Sequence, residues 1–327
     1  MTDPRLAISA VIPTAGRAHL LRPALESLAR QTLAHDRYEV VVVDDGSTDD
    51  TVAVCESLAS ALQLRVLSTA SAGISAAKNL GLFVARAPIV AFLDDDDVAD
   101  PDLLAQHLLA HDEHPSETVA VLGRTTWSPD LEVTEVMRFV TDIGCYLFAY
   151  PYFNDGQFLD YTAFWGGRSS CKRSLLTREG IFDTRLRFGS EDIELGYRLS
   201  AVGLKVCYRA AALSYMNRPI TYDQFCARCE RQGRSQHVFS RVLHPGTAEV
   251  ATYCQVGDAE RRWRQAEQVL ALRVELVHQL EAELVADPGD DDVRSRLHGL
   301  YRWTFDAFKL KGIAAAAAGA PLGGPAT

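Results

Sequence analysis

Two strand-length apolar runs that end on carboxylates constrain this chain more than anything else in it. The first is Tyr38-Glu39-Val40-Val41-Val42-Val43-Asp44-Asp45-Gly46-Ser47. The second is Pro88-Ile89-Val90-Ala91-Phe92-Leu93-Asp94-Asp95-Asp96-Asp97. Unbroken Val/Ile/Leu runs of this length suit strands buried on both faces, the environment of a parallel sheet. In open parallel sheets, ligands bind beyond the carboxyl ends of the strands. Carboxylates placed there are candidates for ligand contacts or cation binding rather than for packing.

The surrounding pattern agrees. Strand signals at Ala7–Pro13, Val40–Asp44, Leu64–Ser68, Pro88–Leu93 and Val119–Leu122 alternate with helical signals. The helices are expected at about Ala18–Gln31, Asp49–Ala61 and Ile74–Ala85. Another follows Asp100-Pro101, with Asp100 as N-cap and Pro101 as first helical residue. This βαβα order implies a doubly wound, Rossmann-like, mainly parallel α/β sheet.

Residues 125–170 hold Trp127, Tyr146, Phe148, Tyr150, Phe153 and Trp165 with little periodicity. They read as a second core layer or lid, with some rings lining a site. Ser190–Val202 is an amphipathic helix with Ser190 as N-cap and Gly203 as its stop. A short strand is expected at Lys205–Tyr208. From Thr221 to about Val242 the pattern is helical and basic, with Arg228, Arg231, Arg234 and Arg241. Asp258–Ala286 and about Asp292–Leu310, separated by Pro288-Gly289-Asp290, read as a helical hairpin that packs on the main domain or self-associates. The chain thus divides into 1–124, 125–243, a hairpin extension at 244–312, and an Ala/Gly/Pro-rich tail at 313–327 expected to be disordered.

Composition narrows the function. The net charge of -10 argues against a nucleic-acid partner, which selects for a basic face. Seven cysteines, an odd number without framework spacing, read as reduced thiols in the cytoplasm. Cys226-x-x-Cys229 has no second pair to complete a zinc site. Met1-Thr2-Asp3-Pro4 leads almost directly into a strand, so no signal peptide is expected. No apolar run approaches the ~20 residues that span a bilayer. Contact with a membrane surface is expected only through a lipid-linked substrate.

Five segments, in order, resemble family 2 glycosyltransferases of the GT-A fold. They are Val11-Ile12-Pro13-Thr14, Val43-Asp44-Asp45-Gly46-Ser47-Thr48-Asp49, Gly73-Ile74-Ser75-Ala76-Ala77-Lys78-Asn79-Leu80-Gly81, Phe92-Leu93-Asp94-Asp95-Asp96-Asp97 and Gly189-Ser190-Glu191-Asp192-Ile193-Glu194-Leu195-Gly196. The resemblance implies a nucleotide-sugar donor and a hydroxyl acceptor. It makes Asp94-Asp95-Asp96 an Asp-x-Asp motif holding Mg²⁺ or Mn²⁺ on the donor diphosphate, with Asp96 and Asp94 as ligands and Asp94 and Asp95 near the ribose. Four adjacent aspartates at a buried strand end repel one another without a cation. The resemblance also places Asp45 on the nucleotide base, with Pro13, Thr14 and Ala15 beside it. Lys78 and Asn79 then lie along the donor, Asp192 is the general base, and Glu191 and Trp165 face the acceptor.

Two departures stand out. Lys78 replaces the family's usual Arg. No His follows Ala212-Leu213-Ser214-Tyr215, where many relatives have a third metal ligand; Met216-Asn217 stands there instead, and His237 lies further along. The expected activity is metal-dependent, inverting sugar transfer, most simply from a UDP-sugar. A sugar nucleotidyltransferase shares the sheet and the acidic site, but Pro13-Thr14-Ala15-Gly16-Arg17 lacks its Gly-rich loop. A dehydrogenase would need Gly-x-Gly-x-x-Gly after a strand. A sugar-nucleotide-binding scaffold without turnover would have no use for Asp192.

Overall fold

The computed structural model describes residues 5–319. Nine strands form one mixed sheet: β1 (Ile8–Thr14), β2 (Tyr38–Asp44), β3 (Leu64–Ser68), β4 (Ile89–Leu93), β5 (Asp97–Ala99), β6 (Val119–Trp127), β7 (Phe158–Leu159), β8 (Arg168–Lys172) and β9 (Lys205–Met216). Their order is β3-β2-β1-β4-β8-β6-β9-β5, with β7 on β9. The half containing β3, β2, β1 and β4 is parallel. Strand β8 enters antiparallel to both β4 and β6.

Helices α1 (Ala18–Leu28), α2 (Thr51–Leu58), α3 (Ile74–Val84) and α4 (Leu103–Glu113) supply the crossovers. In β2, Val40 and Val42 join one apolar cluster with α1, while Val41 and Val43 join another with Phe182 and Leu195. Both faces of the strand are covered, which is why its run has no polar alternation.

Register does the positioning. Thr14 pairs with Asp44 across β1 and β2, and Leu93 with Arg168 across β4 and β8. Asp97 pairs with Met216 across β5 and β9. The ends of four strands therefore meet at one edge. Strands β6 and β9 run well past their expected ends at Leu122 and Tyr208, through a register shift at Gly123/Arg124. Their outer residues are mixed polar and apolar, so periodicity loses them; pairing with each other keeps them extended.

Two helix starts differ from expectation. Helix α4 begins at Leu103, and Asp100 instead makes the preceding turn, its Oδ1 accepting from Asp102 N at 3.1 Å. After the short α5 (Glu135–Arg138) and α6 (Arg173–Glu179), helix α7 (Glu191–Ser200) is entered through Gly189 and Ser190 in left-handed conformation, φ 73° and 63°, and the Ser190 side chain caps nothing.

The C-terminal helices are α8 (Tyr222–His237), α9 (Ala248–Tyr253), α10 (Ala259–Ala286) and α11 (Asp291–Ala317). Val250, Cys254, Val256 and Ala259 belong to the sheet's own core. Tyr301 and Phe305 of α11 bury against Phe139, Tyr222 and Phe225. Helix α11 crosses α8 so closely that a Cβ on Gly312 would lie 1.9 Å from the Glu230 carbonyl oxygen, and one on Gly233 2.0 Å from that of Lys309. Helix α11 also continues through the alanine run to Ala317, past the residue where the tail is expected; alanine is the strongest helix former. Residues 320–327 lie outside the described residues. Among the described residues, no helix is long and apolar enough to cross a membrane.

Candidate active site

The end of β4 carries a row of carboxylates, each matched by an arginine from another element. Asp94 accepts from Arg168 Nη2 at 2.9 Å. Asp95 accepts from Arg17 Nη1 at 3.0 Å and from Thr14 Oγ1 at 2.7 Å. Asp96 accepts from Arg218 Nε at 2.7 Å, with Arg17 Nη1 3.7 Å away. Asp97 is buried among Thr125, Ser214 and Arg168. Burial pushes Asp95 up to about 6 and Asp97 up to about 7. Burial acts the same way on Asp94, but Arg168, Lys78, Arg228 and Arg17 together outweigh it and hold that carboxyl below its usual range. The four aspartates at this strand end are thus compensated by guanidinium groups.

Asp192 lies across a two-glycine strip from this row. Its Oδ2 accepts from Gly166 N at 2.8 Å, and its Oδ1 from Ile193 N at 2.8 Å. Asp94 N donates to the next carbonyl, Gly167 O, at 3.1 Å. The strip leaves room for glycine without displacing its neighbours: a Cβ on Gly167 would lie 2.1 Å from Asp94 Oδ2, and one on Gly166 2.6 Å from Lys78 Nζ. Burial, and then the Glu191 charge, push Asp192 up to about 6, against Lys78 and two N–H bonds. That suits a base working near neutral pH. The left-handed Gly189–Ser190 entry turns the first residues of α7 inward, and strain of this kind collects at functional sites.

Several expected ligand contacts are internal contacts instead. Lys78 is fully buried, with Nζ 2.8 Å from Glu191 Oε1 and 5.3 Å from the Phe182 ring centroid. It braces the residue beside Asp192. Asn79 spends both ends of its amide on the backbone of Phe182, at 2.8 and 3.0 Å. Asp44 makes the turn after β2 by accepting from Ser47 N at 2.9 Å. Asp45 accepts from Thr69 Oγ1, from Ala72 N at 2.6 Å and from Gly73 N at 2.8 Å. Asp45 and Thr14 are neighbours, with Asp45 N donating to Thr14 O at 2.8 Å; Pro13 is half-buried and Ala15 exposed beside them. Trp165 is half-buried among Phe148, Tyr150 and Phe153, its Nε1 donating to Thr162 O at 2.8 Å. Glu191 Oε2 is buried without a hydrogen-bond partner.

The donor set decides how the site suits the Mg²⁺ or Mn²⁺ that the resemblance implies. Asp94 and Asp96, the expected ligands, each face a guanidinium. Asn217, where a His was sought, donates its backbone N–H to Asp96 O at 2.8 Å, and Arg218 follows it onto the Asp96 carboxylate. A guanidinium has donors only and ligates no metal. Among the described residues, no three His, Cys, Asp or Glu side chains form a group able to hold a metal ion. These residues do not fit a resident divalent cation.

The sequence profile of glycosyl transferase family 2 matches residues 9–173, half of the chain. This chain belongs to glycosyl transferase family 2. Over 227 residues it is 35% identical to validoxylamine A glucosyltransferase of Streptomyces hygroscopicus subsp. jinggangensis, covering 60% of this chain and 52% of the relative. Over 115 residues it is 35% identical to poly(ribitol-phosphate) beta-N-acetylglucosaminyltransferase TarS of Staphylococcus aureus, covering 35% of this chain and 20% of TarS. The chain therefore spans about half the length, or less, of these curated relatives.

Among solved structures, the mannosyltransferase PcManGT from Pyrobaculum calidifontis, in complex with GDP-Man and Mn²⁺, is similar with a TM-score of 0.61 at 20% identity, over 94% of this chain and 88% of that one. TarS from S. aureus in complex with UDP-GlcNAc gives 0.53 at 18% identity, over 96% and 92%. The likeness at these identities is one of fold, and the fold of this family 2 chain is of the GT-A type.

Sequence reasoning missed Arg17, Arg168 and Arg218 in this family 2 chain. Each had a faint signal. Arg17 follows the turn after β1, Arg168 opens a strand directly after the glycine pair, and Arg218 follows the long β9. Only the pairing of β1 with β4, of β4 with β8 and of β5 with β9 shows that all three converge.

Proposed function

We propose that this chain transfers a sugar from a nucleotide-sugar, most simply a UDP-sugar, to a hydroxyl acceptor with inversion at the anomeric carbon. The observation that carries this reading is the placement of Asp192 across the Gly166–Gly167 strip from Asp94. The diphosphate is assigned to the Asp94–Asp96 side and the acceptor hydroxyl to the Asp192 side. The acceptor oxygen attacks the anomeric carbon as its proton passes to Asp192, which must lie within hydrogen-bond reach. The carbon–oxygen bond to the diphosphate breaks in the same displacement, and its electron pair leaves with the nucleoside diphosphate. Asp45 Oδ2, bonded to Gly73 N, has an acceptor direction left for a base N–H. The half-buried Trp165 and its aromatic neighbours form the acceptor floor, for a glycan, a lipid-linked sugar or a small natural product. Exposed Val269 and Leu272, three apart on one side of α10, mark a hairpin face for self-association. Seven free cysteines, all but Cys145 buried, support a reducing, cytoplasmic setting.

A thermal-shift screen of UDP-, GDP-, dTDP- and CDP-sugars tests the donor, since any ligand of the native state raises its melting temperature. UDP-sugars are expected to give the largest shift, and a null response to all four classes would overturn the reading.

The pH profile tests the base. Because Asp192 must be ionised to accept a proton, kcat/KM is expected to fall as pH drops through about 6. Glu191→Gln removes the like charge that raises Asp192, so its acid limb should lie at lower pH. An acid limb that Glu191→Gln leaves in place would assign the titration elsewhere.

A further inference from the structure

We infer that arginines, rather than a divalent cation, hold the donor diphosphate in this protein, with Arg218 standing on Asp96 in the cation's place and Arg228 and Arg231 facing the phosphates. The inference rests on the proposed nucleotide-sugar reading and makes it specific.

The first support is the charge balance of the row. Asp94, Asp95 and Asp96 are already paired with Arg168, Arg17 and Arg218 at 2.9, 3.0 and 2.7 Å. The mutual repulsion that would recruit a cation is met by side chains of the chain itself. Arg218 is held there by the backbone, because Asn217 N is bonded to Asp96 O.

The second support is the positive charge left over. Arg228 and Arg231, three apart on α8, share one helix face. Both lie over the Phe188 ring, at 5.5 and 4.3 Å. Among the described residues, neither has a carboxylate within 4.0 Å, and Arg231 Nε is buried without a hydrogen-bond partner. Both interact electrostatically with Arg218, Arg228 also with Arg168 and Asp94, and Arg231 with Arg17. A half-buried guanidinium pair beside further guanidinium groups is unfavourable alone and favourable around an anion. Diphosphate oxygens match the planar arginine fork bidentately. A divalent cation would add positive charge beside two guanidinium groups that no carboxylate pairs.

The test is calorimetry with UDP as probe, in EDTA and in excess MnCl₂, on the unaltered protein. The Kd is expected to agree within about threefold between the two buffers, since charge-assisted bonds from the protein replace the ion. Arg228→Gln and Arg231→Gln should each weaken UDP by about tenfold in EDTA, the loss of one charge-assisted contact, and leave uridine binding unchanged. Arg218→His should create a Mn²⁺ requirement that the unaltered protein lacks.

UDP binding that needs Mn²⁺ in the unaltered protein would overturn the inference while leaving the nucleotide-sugar reading intact. That comparison needs no variant, so misfolding of an arginine variant cannot blur it. Failure of UDP, GDP, dTDP and CDP to bind in either buffer would overturn the nucleotide-sugar reading itself, and this inference with it.

Discussion

Asp192→Asn is expected to lower kcat by about a thousandfold, within the range for losing a general base, and to leave UDP affinity nearly unchanged. The amide is isosteric with the carboxylate and keeps an acceptor for one of the two N–H groups, Gly166 and Ile193, that orient Asp192, while the other N–H then faces the amide nitrogen. What it loses is the ability to take a proton. Asp192 also sits in the first turn of α7, beside Glu191 and Glu194, where any carboxylate favours the helix dipole. If that were its whole role, the substitution would cost about 0.3–1 kcal/mol of stability and little activity. Single-turnover kinetics alongside a melting curve separate the two. Wild-type turnover with a lowered melting temperature would make Asp192 structural.

Gly312→Ala carries the largest expected effect on stability. A Cβ at 1.9 Å from the Glu230 carbonyl oxygen meets backbone, which cannot rotate aside. Helices α8 and α11 must separate, and overpacking of this kind costs about 1–3 kcal/mol. The same separation shifts α8, which carries Arg228 and Arg231, so UDP binding should weaken with stability. Gly299→Ala, where a Cβ meets open space on the same helix, is the control and should be neutral or slightly stabilising. Chemical denaturation of both variants checks the contrast; equal stability would mean that the helices yield without cost.

Much of the architecture was legible in the chain because it rests on local patterns. The apolar runs of β2 and β4 announce buried parallel strands, and Leu64–Ser68 is observed with the boundaries expected. Asp192 was visible through its resemblance to a family segment. The extents of β6 and β9 were not, because their outer residues owe their conformation to each other rather than to their own periodicity. Lys78 and Asn79 show the limit from the other side. Both stand in a segment that the resemblance assigns to the donor, yet Lys78 pairs with Glu191, and Asn79 with the backbone of Phe182, more than a hundred residues away. Nothing near either residue in the chain announces such a partner.

By itself the sequence determined the parallel half of the sheet and the acidic strand end, since hydrophobic period and short motifs act over a few residues, and resemblance to a family segment pointed to Asp192 as the candidate base. Tertiary structure alone decided what neutralises Asp94, Asp95 and Asp96. Arg17, Arg168 and Arg218 reach them from three separate elements, brought together by strand register. Charges compensate according to distance in space, and that distance exists only once the chain has folded.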